Sequence, residues 1–186
     1  MTHLSRSRPL ICAVSVALMC MACAHGGIDA RVSALLADAA SAEPAVTASM
    51  QELSEHFGGH LVGLSHRLKT RVSLERKVRT LWRLNPTDRP EDIVIKDALR
   101  YTISAEDKPA GRHVVVVRGV LAALEERGHE IIQVKNYWLP GDNYSAINCT
   151  LERNGLLWEL QFHTPGSLKA SKGNRALYEE LRLPET

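Results

Sequence analysis

The sequence has few of the residues that could cross-link a fold. Of its four cysteines, Cys12, Cys20 and Cys23 fall within the first 24 positions, a segment with the features of a leader. Without that segment only Cys149 remains, which excludes an intramolecular disulfide and a thiolate zinc site. A lone cysteine within an alternating segment is more often a small buried residue than a nucleophile. Core packing therefore has to stabilise this protein.

Neither charge sign is in excess, and a membrane-spanning apolar run is missing. The chain carries 23 Lys and Arg against 21 Asp and Glu. That balance argues against nucleic acid as a partner recognised through bulk charge. The apolar stretch from Leu10 to Ala22, interrupted by Ser15, is too short to span a bilayer comfortably.

The same stretch is typical of a secretory signal peptide. Arg6 and Arg8 precede it, and Ala22-Cys23-Ala24 provides the small residues of a cleavage site. We expect export, cleavage after about Ala24, and a secreted protein without a membrane association. A lipoprotein modified at Cys23 is the alternative. Because Arg6 and Arg8 leave with the leader, residues 25–186 keep 21 basic and 21 acidic residues, and they suit a single domain.

Helix and strand patterns alternate along the rest of the chain. We expect an N-terminal helical segment over 28–58, interrupted where Pro44 opens a second helix, and a third helix capped by Ser73. Asn154-Gly155 predicts a β-hairpin. The segment 109–127 fits a strand or a helix, and its apolar spacing favours a helix. The predicted strands are 61–69, 93–103, 130–138, 146–151 and 156–163, and the last helix is 171–183. The fold class is α/β (α+β), with a mixed, roughly five-stranded sheet flanked by helices.

One strand carries a row of polar side chains. Alternation places Glu159, Gln161 and His163 on one face, while Leu160 and Phe162 point to the core. A carboxylate, an amide and an imidazole then face a single ligand. A solvated polar face is the alternative.

Three further groups of residues suit a nucleotide. Arg67 and Lys69 share a predicted strand face, and Ser73 and Lys77 follow at i and i+4 on a helix, which predicts either a polyphosphate site or a solvated basic face. Asp97, expected within an apolar strand, is either an ion-pair partner or a magnesium ligand. The third group places a cation near aromatic rings, which suits a stacked nucleobase or ordinary packing. It contains Lys135, Tyr137, Trp138 and Tyr144.

In this order the motifs resemble the synthetase domain of the RelA/SpoT family, which moves pyrophosphate from ATP to a nucleotide's 3'-hydroxyl. The resemblance covers roughly 61–182 and is strongest for the secreted ATP nucleotide 3'-pyrophosphokinases. It implies the RelA/SpoT synthetase-like nucleotidyltransferase fold, an ATP donor, a purine nucleotide acceptor and Mg²⁺, or another divalent metal. The sequence departs from the family where Asn148 and His163 stand in place of its usual His and Arg.

The resemblance also implies a role for each motif. Asp97 and Glu159 would carry the metal, Glu159 would remove the proton, and Gln161 would orient the 3'-hydroxyl. The ATP-binding residues would be Arg67, Lys69, Ser73 and Lys77. The acceptor-binding residues would be Lys135, Tyr144, Asn148 and His163. Because Tyr144 would stack through its ring face, Tyr144→Phe is predicted to keep most activity.

Two alternatives remain open. One is an exported nucleotide-binding module without turnover, and the other is a toxin that pyrophosphorylates nucleotides. The acceptor range, oligomeric state and biological role do not follow from the sequence.

Overall fold

The computed structural model describes residues 11–85, 89–138 and 144–181. Within these ranges the protein is α+β, with four α-helices and a five-stranded mixed sheet, as predicted. The helices are α1 (Ile11–His56), α2 (Arg71–Leu84), α3 (Arg112–Glu126) and α4 (Pro165–Leu181). The strands are β1 (His60–Val62), β2 (Arg100–Ser104), β3 (Glu130–Asn136), β4 (Ile147–Arg153) and β5 (Leu156–His163).

Helix α1 is continuous through Pro44, where the sequence predicted a break. Proline removes one backbone donor from a helix interior. The neighbouring residues compensate, since they are rich in alanine and place buried side chains at Val46 and Met50. The first ten residues of the expected leader lie outside the described part of the chain.

The described residues form two compact units. The smaller contains residues 11–34, 71–85 and 89–94. Leu74 and Val78 of α2 are buried there, and Arg71 forms an ion pair with Asp29 at 2.7 Å. Because α2 begins at Arg71, Ser73 lies in its first turn and is not the predicted cap. The single domain expected over 25–186 stays a prediction.

The larger unit contains residues 35–70, 95–138 and 144–181, with the whole sheet. Its strand order is β1-β2-β5-β4-β3, and only the β2–β5 pair is parallel. The predicted hairpin is confirmed: Arg153 pairs with Leu156 across Asn154 and Gly155. Both turn residues have positive φ, as a two-residue type I′ connection requires.

The two faces of this sheet differ in polarity. One face supplies buried apolar and aromatic side chains, among them Trp158, Leu160, Phe162, Tyr101, Ile103 and Leu151. Buried residues of α3 and of the C-terminal part of α1 complete the core of this unit. Cys149 belongs to this core, and burial raises the pKa of its thiol to about 12. That confirms the prediction of a buried residue.

Two predicted strands are shorter than expected. The 61–69 strand ends at Val62 and gives way to a 3-10 turn at Leu64–His66. The 93–103 strand begins only at Arg100, so Asp97 lies before the strand and not within it. The two segments still meet through one bridge, Leu68 to Leu99. The 3-10 turn interrupts the ladder between Val62 and Leu68.

Helix α4 starts at Pro165, six residues before the prediction. Thr164 precedes it, and Thr164 Oγ1 accepts a hydrogen bond from the Ser167 N–H at 3.2 Å. Ser167 Oγ accepts one from the Thr164 N–H at 3.1 Å. This reciprocal pair is a capping box, with proline at the first helical position.

Across the described ranges, the structure contains no helix that is both long and apolar enough to cross a bilayer.

Candidate functional site

The polar row on β5 lies on the sheet face opposite the apolar core. Arg100 and Thr102 of β2 pair with Glu159 and Gln161 in parallel register. On the other side, Asn148 of β4 pairs with Gln161. Residues paired in register point to the same face of a sheet. Three adjacent strands therefore place their polar side chains together.

Lys135 continues this row on β3, where it pairs with Asn148 and is exposed. The spacing of residues along the sequence did not predict that Lys135 lies beside Asn148. The strand order places it there, because β3 lies beside β4 at the sheet edge.

Hydrogen bonds connect the row into one network around Glu159. Asn148 Nδ2 donates to Glu159 Oε1 at 3.3 Å, and Gln161 Nε2 donates to Glu159 Oε2 at 3.1 Å. Thr102 Oγ1 donates to Gln161 Oε1 at 3.4 Å. Each oxygen of the carboxylate thus receives an amide donor, which holds its plane relative to the sheet.

The environment of Glu159 makes its carboxylate more basic than a free glutamate. Burial raises its pKa above the ordinary value of 4.5, and the negative charge of Asp97 raises it further. Arg100, the bond from Gln161 and the charge of Lys69 act in the opposite direction. A carboxylate with a raised pKa is a better proton acceptor, as a general base requires.

Asp97 lies close enough to influence that pKa and pairs with Lys69. Lys69 Nζ is 2.7 Å from Asp97 Oδ2, and both side chains are mostly buried. Asp97 was expected to be either an ion-pair partner or a magnesium ligand. The structure shows the ion pair, and Asp97 also lies near the carboxylate of Glu159, so its position is compatible with a metal ligand as well. In the described ranges no group of three or more His, Cys, Asp or Glu residues could hold a metal. Two carboxylates fit Mg²⁺ when substrate phosphates supply other ligands.

Arg67 is engaged elsewhere in the larger unit. Its guanidinium forms a very short hydrogen bond and an ion pair with Glu43 of α1. Its Nη1 also donates to the Leu64 carbonyl at 2.7 Å. Hydrogen bonds from Thr47 and Arg67 lower the pKa of Glu43. Sequence reasoning missed Glu43, since no spacing rule connects a helical residue to a turn 24 positions later.

Ser73 and Lys77 lie on α2, in the smaller unit, and both are partly buried. Their part in ATP binding stays a prediction.

Tyr144 and His163 extend the network at the other end of β5. Tyr144 Oη lies 3.1 Å from Asn148 Oδ1 and 3.2 Å from His163 Nε2. The Tyr144 ring also meets the rings of Tyr137 and His163 edge-on, with centroids 5.4 and 5.5 Å apart. His163 Nδ1 lies 3.0 Å from Ser167 Oγ. Sequence reasoning missed Thr102 and Ser167.

His163 is deeply buried, with 2% of its surface exposed. Burial, and to a smaller extent the neighbouring His113, lowers the pKa of His163 to about 4. His163 is therefore neutral near pH 7.

A groove of about 140 Å³ opens beside the network. Arg100, Thr102, Gln161 and His163 line it on the sheet side, and the first turns of α4 line the other side. Two larger clefts of about 470 Å³ lie elsewhere, one near His113 and Trp138 and one near Trp158. The convergence of charged and amide groups, rather than cavity size, identifies the face around Glu159 as the candidate site.

A comparison with models of known protein families finds no match, and a comparison with curated proteins finds none.

Proposed function

We propose that this protein transfers the pyrophosphate group of ATP to the 3'-hydroxyl of a purine nucleotide and releases AMP. The observation that carries this proposal is the pairing of Glu159 with Gln161 on one strand, beside the Lys69–Asp97 pair. A basic carboxylate, an amide and a cation are the groups that such a transfer needs. The five-stranded mixed sheet is compatible with a RelA/SpoT synthetase-like fold, which is part of the proposal.

The reaction requires one proton acceptor and a means to orient the hydroxyl. The 3'-oxygen of the acceptor attacks Pβ of ATP, and the bond between Pβ and the oxygen bridging to Pα breaks. The hydroxyl proton passes to Glu159, either directly or through a water. Gln161 orients the hydroxyl, and AMP keeps the bridging oxygen. Lys69 neutralises charge on the transferred group.

Asp97 and Glu159 would hold a divalent cation, for which Mg²⁺ is the proposed identity. When bound, the cation neutralises phosphate charge. The described carboxylates fit this role because the negative charge of Asp97 raises the pKa of Glu159, and a cation relieves that repulsion.

The two substrates would occupy different parts of the face. We assign the donor phosphates to Lys69 and Arg67, and the acceptor to Lys135, Tyr144 and Asn148. The part of Ser73 and Lys77 in ATP binding stays a prediction. To bind a phosphate, the guanidinium of Arg67 has to leave the carboxylate of Glu43, so one charge-assisted hydrogen bond to an anion replaces another. We also propose that the protein is exported and cleaved after about Ala24.

A product assay tests the proposal. The purified protein is incubated with ATP, Mg²⁺ and each purine nucleotide, and the products are separated and weighed by mass spectrometry. We expect AMP and an acceptor heavier by one pyrophosphate group. An acceptor that lacks the 3'-hydroxyl is the control and should gain no pyrophosphate group. A reaction with ATP alone measures the AMP that forms because ATP itself carries a 3'-hydroxyl.

Two ATP analogues define which bond breaks. A methylene group between Pα and Pβ removes the bond that must break and should stop the reaction. An imido group between Pβ and Pγ leaves that bond intact, so transfer should continue. The opposite pattern would indicate γ-phosphoryl transfer and overturn the proposal, and binding without either product would favour the inactive nucleotide-binding module.

A further inference from the structure

We propose that His163 and Ser167 are positioning residues that orient Glu159 through Tyr144 and Asn148. This inference rests on the proposed function for its catalytic meaning. We name these five residues the Glu159 network. It changes the expected role of His163 from acceptor binding to orientation, and it adds Ser167 to the site.

The network is continuous from α4 to the carboxylate. Its contacts are Ser167 Oγ to His163 Nδ1 at 3.0 Å, His163 Nε2 to Tyr144 Oη at 3.2 Å and Tyr144 Oη to Asn148 Oδ1 at 3.1 Å. The last contact joins Asn148 Nδ2 to Glu159 Oε1 at 3.3 Å. Every link lies within hydrogen-bond distance.

Only one arrangement of protons places a hydrogen in each of the four contacts between Ser167 and Glu159, and it directs the Ser167 proton to His163 in place of the Thr164 carbonyl. Asn148 presents its amide nitrogen to Glu159, so its oxygen faces Tyr144 and must accept the Tyr144 proton. Tyr144 Oη then has to accept from His163 Nε2–H. In a neutral imidazole Nδ1 is consequently the acceptor, and it receives the Ser167 proton.

The opposite tautomer leaves one contact without a proton. If His163 Nδ1 donated to Ser167, Nε2 would take the Tyr144 proton, and Tyr144 Oη would face Asn148 Oδ1 as two acceptors. The hydroxyl of Ser167 could then bond only the Thr164 carbonyl, at 3.2 Å. That carbonyl already accepts from the Leu168 N–H at 2.9 Å.

The capping box fixes the outer end of the network. Ser167 Oγ accepts the Thr164 N–H at the start of α4, so its position is set by the helix backbone. The orientation of Glu159 is thereby tied to a helix terminus through four hydrogen bonds. His163 borders the groove, but only 2% of its surface is exposed, so in this proposal it acts on the reaction through Tyr144 and not by contact with substrate.

Nuclear magnetic resonance tests the tautomer independently of activity. Long-range ¹H–¹⁵N correlation spectra of the ¹⁵N-labelled protein report the protonation of each imidazole nitrogen, and His163→Asn assigns the His163 signals by their loss. We expect a neutral ring with the proton on Nε2. Ser167→Ala should shift the Nδ1 resonance. A proton on Nδ1, or no response to Ser167→Ala, would overturn the network.

Thr164→Ala is the matched control. It removes the other half of the capping box and weakens the start of α4, but it leaves the Ser167–His163 contact in place. Its spectrum should keep the wild-type His163 signals. Equal shifts in both variants would mean that helix fraying, rather than the lost hydroxyl, moves the ring, and would refute the proposal.

Kinetics test the catalytic consequence. Ser167→Ala removes one contact of the network and Tyr144→Phe removes two. Each variant should lower kcat about 2- to 10-fold, the range for loss of a neutral hydrogen bond, with the ATP KM unchanged. For Tyr144→Phe this replaces the expectation from ring stacking, that most activity is kept. Ser167→Thr should restore kcat, because it restores a hydroxyl. Wild-type kcat in Tyr144→Phe would reject the positioning role. If the wild-type protein itself makes no pyrophosphorylated product, the proposed function fails while the spectra still decide whether the network exists.

Discussion

The two faces of β5 differ in how their polar atoms are satisfied. On the face with Glu159, Gln161 and His163, hydrogen bonds join side chains from three strands and α4. On the core side, packing dominates, and Trp158 Nε1 lies buried without a hydrogen-bond partner in the described part of the chain. Tyr101 meets the Trp158 ring edge-on instead, at 5.9 Å. One strand thus stabilises the fold on one face and organises polar groups on the other.

This difference supports the proposed role of the polar face around Glu159. Hydrophobic burial is non-directional, so the core tolerates an unpaired indole N–H at some cost. A reacting group has to be oriented to within a fraction of an ångström. The amides of Asn148 and Gln161 provide that orientation for Glu159, which packing alone does not.

The largest expected effect on stability comes from the core face. Phe162 is fully buried, so Phe162→Ala should lower the free energy of unfolding by about 3–5 kcal/mol. Gln161→Ala, one residue earlier on the opposite face, should cost only about 1 kcal/mol, the value of its hydrogen bonds. Urea unfolding followed by circular dichroism measures both. Equal losses of unfolding free energy in the two variants would show that both faces of β5 stabilise the fold to the same extent.

For activity, the largest effects are expected from the polar face and not from the core face. Glu159→Gln and Asp97→Asn should each lower pyrophosphate transfer by at least about 10²-fold, because each removes a catalytic charge at nearly constant shape. Glu130→Gln, which changes an exposed carboxylate on the edge strand, is the control. Near-normal turnover in either site variant would remove that residue from the site.

Acid should destabilise the protein through one histidine on each side of the sheet. Burial lowers the pKa of His163 and of His129 to about 4, from an ordinary value of 6.5. Because the pKa of each imidazole is lower in the folded than in the unfolded protein, the folded state favours the neutral ring. The stability they contribute is complete above about pH 6.5 and is lost as the pH falls towards 4. Glu159, whose pKa is raised, acts with the opposite sign.

Unfolding free energies measured at intervals from pH 7.5 to 4 check this expectation. His163→Gln and His129→Gln should each flatten the decline below pH 6.5. A decline as steep as that of the wild type in both variants would assign acid sensitivity to other groups.

The smallest expected effect comes from an ion pair outside both faces. Arg127 binds Glu52 in a bidentate arrangement, with distances of 2.6 and 3.0 Å. Solvent screens such pairs, and ordering two long side chains offsets the attraction. Glu52→Gln should therefore unfold at the same urea concentration as the wild type. A clear shift of the midpoint would show that exposed pairs stabilise this protein as well.

The elements best predicted were those defined by local chemistry. Asn154-Gly155 identified the hairpin, and alternation correctly separated Glu159 and Gln161 from Leu160 and Phe162. The prediction failed where tertiary contacts override local pattern. Asp97 was expected in a strand, but β2 begins only at Arg100, and the last bridge to the neighbouring segment is Leu68 to Leu99, before α2 starts at Arg71. The start of α4 was missed although Thr164, Pro165 and Ser167 carry its signature.

The sequence by itself determined the side-chain alternation of β5, the hairpin and the buried position of Cys149, because strand period and turn chemistry act over a few residues. Only the tertiary structure decided which distant groups meet Glu159. The parallel pairing of β2 with β5 brings Arg100 and Thr102 beside it, and the β4 register adds Asn148. It also paired Lys69 with Asp97 and Arg67 with Glu43. Partners of this kind depend on register and chain crossing, which no local spacing rule encodes.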